Sequence, residues 1–270
     1  MMRRVLNSAT ARRLASRAQR LSPSSRHAIN ALRGIEQPLL VTLLPGSKVL
    51  CIAPHPDDEL LGCGGTLAKH RAAGHDVHVV FVTSGEGSAG AHGTRQVAIE
   101  QREGEAARAM QVTVPGATWQ FLRLPDGCVA DQGAVLEVAL GEAMSASSAD
   151  LVYAPHPGER HGDHVAVSRA VTRVLASRDA RPEVAYVAWY EVWSPLPATC
   201  VVDVTAEFSC KIKGLECYES QLEITDYVRT AEGLAAYRYS QPLKGRGFAE
   251  AFAMVSRDEL TRWAAQAQLT

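Results

Sequence analysis

Apolar positions along this chain follow two rhythms. Short runs rich in β-branched residues recur at 47–53, 76–83, 150–155, 183–193 and 200–205, and residues 118–124 alternate apolar with polar. Runs of this length read as strands, and the unbroken ones as strands buried on both faces. Between them, apolar spacing of three and four residues predicts helices over 60–70, 95–112, 132–146 and 165–177. Further helices are expected from Thr205 or Ala206 through Ser220, over 231–239 and over 259–268, with a loop at 245–248 returning near the site and a strand after it. Five or six strands alternating with helices predict one doubly wound, mostly parallel α/β sheet with helices on both faces, Rossmann-like in architecture.

The stretch Ala53-Pro54-His55-Pro56-Asp57-Asp58-Glu59 stands where the first strand ends and a glycine-containing helix begins. Open α/β sheets keep their ligands at the carboxyl ends of strands. Neighbouring side chains diverge, so Asp57 and Asp58 divide their work: one binds a metal while the other faces the substrate. If His55 and Asp58 ligate zinc, a catalytic site needs a third protein ligand and an open position. The third is expected in His161-Gly162-Asp163-His164, after the strand that ends at Pro155. His161 and His164 are spaced to share a helix face, so one can reach the metal and the other the substrate. Asp163 can hydrogen-bond a ring nitrogen nearby and fix its tautomer.

These two motifs resemble the LmbE-like, or PIG-L, N-acetylglucosaminyl deacetylases, which remove acetyl from a sugar 2-amino group with a divalent metal. Carried over by motif position, the resemblance implies His55, Asp58 and His164 as ligands of one Zn2+ per chain. It implies Asp57 as general base, His161 as the residue that polarises or protonates at the scissile amide, and Asp163 as the partner orienting His161. It also implies substrate contacts for Arg102 and Asp126. The residue-level alternatives are an ion pair of Arg102 with Glu105 and an Asp-Gly turn at Asp126. The family commonly has Pro where this chain has Gly162. The LmbE-type fold is expected from about residue 47 to the last helix.

Length and composition change this picture little. The chain has 270 residues, 46% hydrophobic and 21% charged, with a formal net charge of −1. That balance gives no electrostatic case for nucleic acid or an anionic membrane, and leaves a neutral or small polar substrate. The six cysteines form no CxxC pair, so buried thiols of a cytoplasmic protein are expected rather than disulfides or thiolate-bound zinc. Residues 1 to about 34 carry eight arginines and no acid. A basic N-terminal helical arm over 1–45, preceding a deacetylase domain over 46–270, is the preferred reading of that composition; a transit peptide is the competitor. No stretch is long enough to span a bilayer, and oligomeric state leaves no signal.

The glycine-rich loop at 84–94 lacks the phosphate-cradling lysine and the dinucleotide glycine spacing, and its length at the active edge suggests a substrate lid. His92 within it reads as a solvated loop residue, and His156, between two prolines, as part of the rim. Among the aromatics at 186–193, core packing is the first expectation for any single one, and Tyr190 or Trp193 is the one placed to stack on a sugar ring or a lipid-like tail, with Trp193 the chosen candidate. The whole chain resembles glycopeptide-antibiotic tailoring deacetylases of the teicoplanin and A40926 type. The substrate implied is a GlcNAc-bearing pseudoaglycone; the alternatives are GlcNAc-malate, GlcNAc-inositol, GlcNAc-phosphatidylinositol and chito-oligosaccharides. A nucleotide-binding oxidoreductase is disfavoured because no GxGxxG follows a predicted strand. A metal-binding protein without catalysis remains the rival from another class.

Overall fold

The computed structural model describes residues 38–88, 94–177 and 183–266. Its frame is an eight-stranded sheet. The strands are β1 (Leu39–Val41), β2 (Lys48–Ala53), β3 (Asp76–Thr83), β4 (Thr118–Leu124), β5 (Leu151–Pro155), β6 (Tyr186–Tyr190), β7 (Cys200–Asp203) and β8 (Ala249–Ser256). Their spatial order is β1-β7-β8-β6-β5-β2-β3-β4. All neighbouring pairs are parallel except those of β8, which runs antiparallel to both β6 and β7.

The strand period of two sorts side chains onto two cores. Val49, Cys51, Val79, Phe81 and Tyr153 enter one cluster, while Leu50, Ile52, Val80, Val82 and Val152 enter another. The first cluster is covered by α1 (Asp58–Ala72), α2 (Arg95–Thr113), α5 (Phe208–Leu215) and α7 (Tyr227–Leu243). The second is covered by α3 (Gly133–Ala146), α4 (Gly162–Ala176) and α8 (Arg257–Gln266). A short helix, α6 (Glu219–Leu222), joins α5 to α7. The doubly wound, mostly parallel architecture is therefore as expected.

Three details differ from the sequence reading. Leu39–Val41 falls inside the span expected as a helical arm, yet pairs with Cys200–Val202, so the sheet begins before residue 46. A three-residue strand shows no periodicity of its own, and its partner lies far along the chain. Residues 1–37, which carry the expected arm, lie outside the described residues. The loop before β8 does not return to the site: Gly247 abuts Tyr239 and Thr205, and Phe248 stacks on Phe208 at 3.7 Å between ring centroids. All six cysteines are free; Cys51, Cys63 and Cys200 are buried, whereas Cys128 is exposed.

Two glycines of α1 permit close approach to the sheet. A Cβ on Gly62 would lie 2.2 Å from the Tyr190 ring, and one on Gly65 would lie 2.7 Å from Val204. Between them the helix breaks at Cys63, whose φ of −148° is not helical. The Gly65 and Thr66 N–H groups then donate to the Glu250 carboxylate at 2.9 and 2.7 Å, and Lys211 donates to the Leu61 carbonyl at 3.0 Å. α1 is thus held to the sheet just after its break and to α5 just before it. No helix among the described residues is long and apolar enough to cross a membrane.

Candidate metal centre

β2 continues to β3 and β4 on one side and pairs with β5 on the other, so the winding reverses between β2 and β5. Ligands of doubly wound sheets sit at such a switch point, beyond the carboxyl ends of the strands. His55, Asp57 and Asp58 follow β2, Asp126 follows β4, and His161, Asp163 and His164 follow β5. His55, Asp57, Asp58, Asp126 and His161 border a cleft of about 390 Å³, lined also by Gly85, Gly87, Ser88, Arg102, Gly127, Trp193, Gln221 and Tyr227, while Asp163 and His164 are buried behind that lining.

One oxygen, Asp58 Oδ2, lies 3.1 Å from His55 Nδ1 and 3.1 Å from His164 Nε2. His164 is fully buried, and neither ring nitrogen meets an acceptor in hydrogen-bond geometry, although Nε2 faces Asp58 Oδ2. Burying an imidazole with both nitrogens unpaired is costly. Two imidazole nitrogens and a carboxylate oxygen converging on one point fit a zinc-type donor set with a position left for water or substrate. His161 presents a third imidazole within 4.8 Å of the other two, but it is exposed. A second group, His55 with Asp126 and Asp163, shares His55. The inner set of His55, Asp58 and His164 is preferred because it gives the buried His164 Nε2 a partner.

Asp57 takes φ 119°, ψ −30°, a backbone conformation rare for a residue with a Cβ. Its neighbours hold it there. Its N–H donates to Glu59 Oε2 at 2.9 Å, its carbonyl accepts from the Leu61 N–H at 2.9 Å, and Arg102 Nη2 donates to both Asp57 Oδ2 (3.1 Å) and the Pro56 carbonyl. Arg102 also donates to Glu105 Oε2 at 3.3 Å and lies over the Tyr218 ring. Tyr218 in turn donates its hydroxyl to Glu59. Arg102 therefore makes the ion pair weighed as its alternative, lines the cleft as well, and holds the spare acid beside it.

Charge follows these contacts. Burial pushes the Asp57 carboxyl up to about 7, against the pull of the Arg102 guanidinium, and pushes Glu59 up to about 8. Burial would raise Asp58 too, but the His164 and His55 imidazoles hold it well below the carboxylate range. For His55, burial opposes charge, while Asp126, Asp163 and Asp58 outweigh it and raise its pKa well above the usual value. His161 is lowered by burial and by the neighbouring His55 and His164.

One expected pairing is corrected. Asp163 does not orient His161: its carboxylate lies 3.2 Å from His55 Nε2 and accepts from the Gly127 and Val129 N–H groups at 2.8 and 3.1 Å. His161 is the N-cap of α4, and its Nδ1 accepts from the Asp163 backbone N–H rather than pairing with the Asp163 carboxylate. Asp126 is more than a turn residue, because it bridges His55 Nε2 (3.2 Å) and the Gly87 N–H (2.8 Å). Trp193 lines the cleft from a loop beyond β6, its ring 5.7 Å from that of Tyr227. Tyr190 belongs to the core and donates to the Ile52 carbonyl. His156 does not line the cleft; its Nδ1 accepts from the Gly158 N–H. His92 lies outside the described residues.

Sequence reasoning gave no role to Glu59, Glu159, Gln221, Tyr218 or Tyr227. Glu59 adjoins the first motif, and its place there was the one available signal. Tyr218 reaches it across 159 residues, with nothing local to announce the contact.

The fold and cleft define an α/β protein with an acid- and imidazole-lined site at its switch point. The model of the PIG-L family, described as GlcNAc-PI de-N-acetylase, matches residues 50–175. The 1D-myo-inositol 2-acetamido-2-deoxy-alpha-D-glucopyranoside deacetylase of Kineococcus radiotolerans is 31% identical over 191 residues, covering 55% of this chain and 52% of that protein. The chain spans about half the length of the curated relative it matches there. The N,N'-diacetylchitobiose deacetylase of Pyrococcus horikoshii superposes with a TM-score of 0.68 at 22% identity, over 78% of this chain and 85% of that one. The A40926 pseudoaglycone deacetylase superposes with a TM-score of 0.62 at 19% identity, over 77% and 97%. At these identities the two structures speak for the fold alone.

Proposed function

We propose that the chain is a divalent-metal-dependent N-deacetylase that hydrolyses the acetamide of a GlcNAc residue joined to a small neutral partner, such as inositol or a second sugar. The observation that carries this is the convergence of His55, Asp58 and the buried His164, with the spare acid Asp57 at the same cleft. His55, Asp58 and His164 would hold the ion, zinc being the expected one, and when bound it supplies Lewis acidity at the scissile amide. Asp57 takes the proton of the attacking water, and Arg102 keeps that carboxylate aimed into the cleft. His161, exposed at the mouth, polarises the carbonyl or protonates the departing sugar nitrogen. Asp126 and the Trp193–Tyr227 pair bound the space for the sugar and what it is joined to.

Two observations favour a neutral partner, the first over the glycopeptide pseudoaglycone expected from the whole-chain resemblance and the second over anionic conjugates. The sequence relative acts, by its name, on a GlcNAc-inositol, whereas the antibiotic deacetylase shares the fold alone. Arg102 is the only cation among the described residues lining the cleft, and Asp57 and Glu105 already engage it. A malate or phosphodiester partner would find no free cation there. The test is to incubate metal-loaded protein with GlcNAc-inositol, diacetylchitobiose, GlcNAc-malate, GlcNAc-phosphatidylinositol and a glycopeptide pseudoaglycone, and to follow acetate by mass spectrometry. The neutral conjugates are expected to lose one acetyl group. Tight metal binding with no acetate from any of them would leave a metal-binding protein without this activity.

A further inference from the structure

The cleft mechanism makes no use of Glu159, although its side chain has no exposed surface and stands next to His164. Three successive backbone N–H groups point at its carboxylate. Val192 donates to Oε1 at 2.7 Å, Trp193 to Oε1 at 3.1 Å and Oε2 at 3.2 Å, and Ser194 to Oε1 at 3.3 Å. Such a row of amides is an anion-binding concavity, here filled from within the chain. The other oxygen faces the metal centre: Oε2 stands 3.8 Å from His164 Nδ1, a nitrogen without a hydrogen-bond partner.

We propose that Glu159 is a positioning residue that sets the Trp193 wall of the cleft and the His164 imidazole in one register. A carboxylate behind the outer nitrogen of a ligating histidine fixes the ring's tautomer and orientation and strengthens its donation. Here the same carboxylate is fixed by the loop that carries Trp193, so the aromatic wall and the inner donor move together. The inference rests on the reading of His164 as a metal ligand. Both of its readouts are taken without turnover, so they stand or fall separately from deacetylation.

The experiment titrates chelator-stripped protein with Zn2+ against a chromophoric chelator and measures acrylamide quenching of Trp193, with Trp193→Phe as the blank for the other tryptophans. Glu159→Gln is expected to weaken zinc binding by about 10- to 100-fold and to raise Trp193 quenching. Trp193→Ala, which keeps the loop amides, should leave zinc affinity at the parental value. Glu159→Asp separates the two arms: the loop amides recover their acceptor and quenching returns towards the parent, but the carboxylate is one methylene further from His164 and zinc stays weak. Parental zinc affinity in Glu159→Gln overturns the proposal, as does weakened zinc with unmoved quenching. Should Glu159→Gln fail to fold, parental zinc affinity in Glu159→Asp overturns it equally.

Discussion

Arg102 and Asp57 are 45 residues apart in sequence and 3.1 Å apart in space, and the same guanidinium nitrogen that meets the Asp57 carboxylate also takes the Pro56 carbonyl. One cation therefore fixes both the side chain and the backbone of the acid that stands beside the candidate ligands. Asp57→Asn keeps the shape and removes the proton acceptor. We expect it to retain one zinc per chain and lose about 10²- to 10⁴-fold in kcat, the usual contribution of a positioned base. Elemental analysis and acetate release check both halves; equal loss of zinc would make Asp57 a ligand instead.

Asp58→Ala and His164→Ala each remove a group from the inner donor set, Asp58 being the one whose single oxygen faces both imidazoles. Each variant should emerge from dialysis against a weak chelator without stoichiometric zinc, while Asp126→Asn, on the outer side of His55, keeps it. Zinc retained at parental level in His164→Ala would transfer the site to the His55, Asp126 and Asp163 group.

Gly62→Ala tests how closely α1 must approach the sheet. The added methyl would lie 2.2 Å from a Tyr190 ring that is wholly buried and hydrogen-bonded to Ile52. Overpacking costs about 1–3 kcal/mol, more than the roughly 1 kcal/mol that alanine gains over glycine in a helix. The melting temperature should fall. Gly141→Ala is the control, because its methyl would meet only Val174 at 3.9 Å, and it should hold or raise the melting temperature.

Away from the cleft, His70 makes stability depend on acid. Burial, helped by His75, lowers its pKa to about 4, and its ring is shared between His75 and the Tyr153 hydroxyl. Between pH 6.5 and about 4 the unfolded chain takes up a proton that the folded one refuses. The unfolded state binds more protons there, so stability falls as pH falls through that window. By pH 5 the loss amounts to roughly 2 kcal/mol. His70→Gln should lose less melting temperature than the parent between pH 7 and pH 5; parallel curves would contradict it.

Legibility in the sequence tracked the range of the interactions. The doubly wound sheet could be read because buried parallel strands leave uninterrupted apolar runs and their helices leave a three-to-four spacing. β1 could not, since three residues carry no period and gain their pairing from Cys200–Val202. Nor could the antiparallel sense of β8, which depends on which edge the chain reaches after α7 rather than on anything local. At the site, the histidines and acids of both motifs stood out by composition and position. The partner of each did not: Asp163 is expected beside His161, two residues before it, and instead meets His55, 108 residues away.

By itself, then, the sequence determined the class of fold, the two motif loops at the carboxyl edge, and the residue types able to hold a divalent ion. Period and spacing are short-range properties that survive in a linear reading. Only the tertiary structure decided that Glu59 and Arg102 hold Asp57 in an unfavourable backbone conformation, that Glu159 joins the Trp193 loop to His164, and that Arg102 is already engaged. Hydrogen bonds and ion pairs form wherever packing brings partners within about 3 Å, and packing of a sheet on two helical layers is set by the whole chain at once.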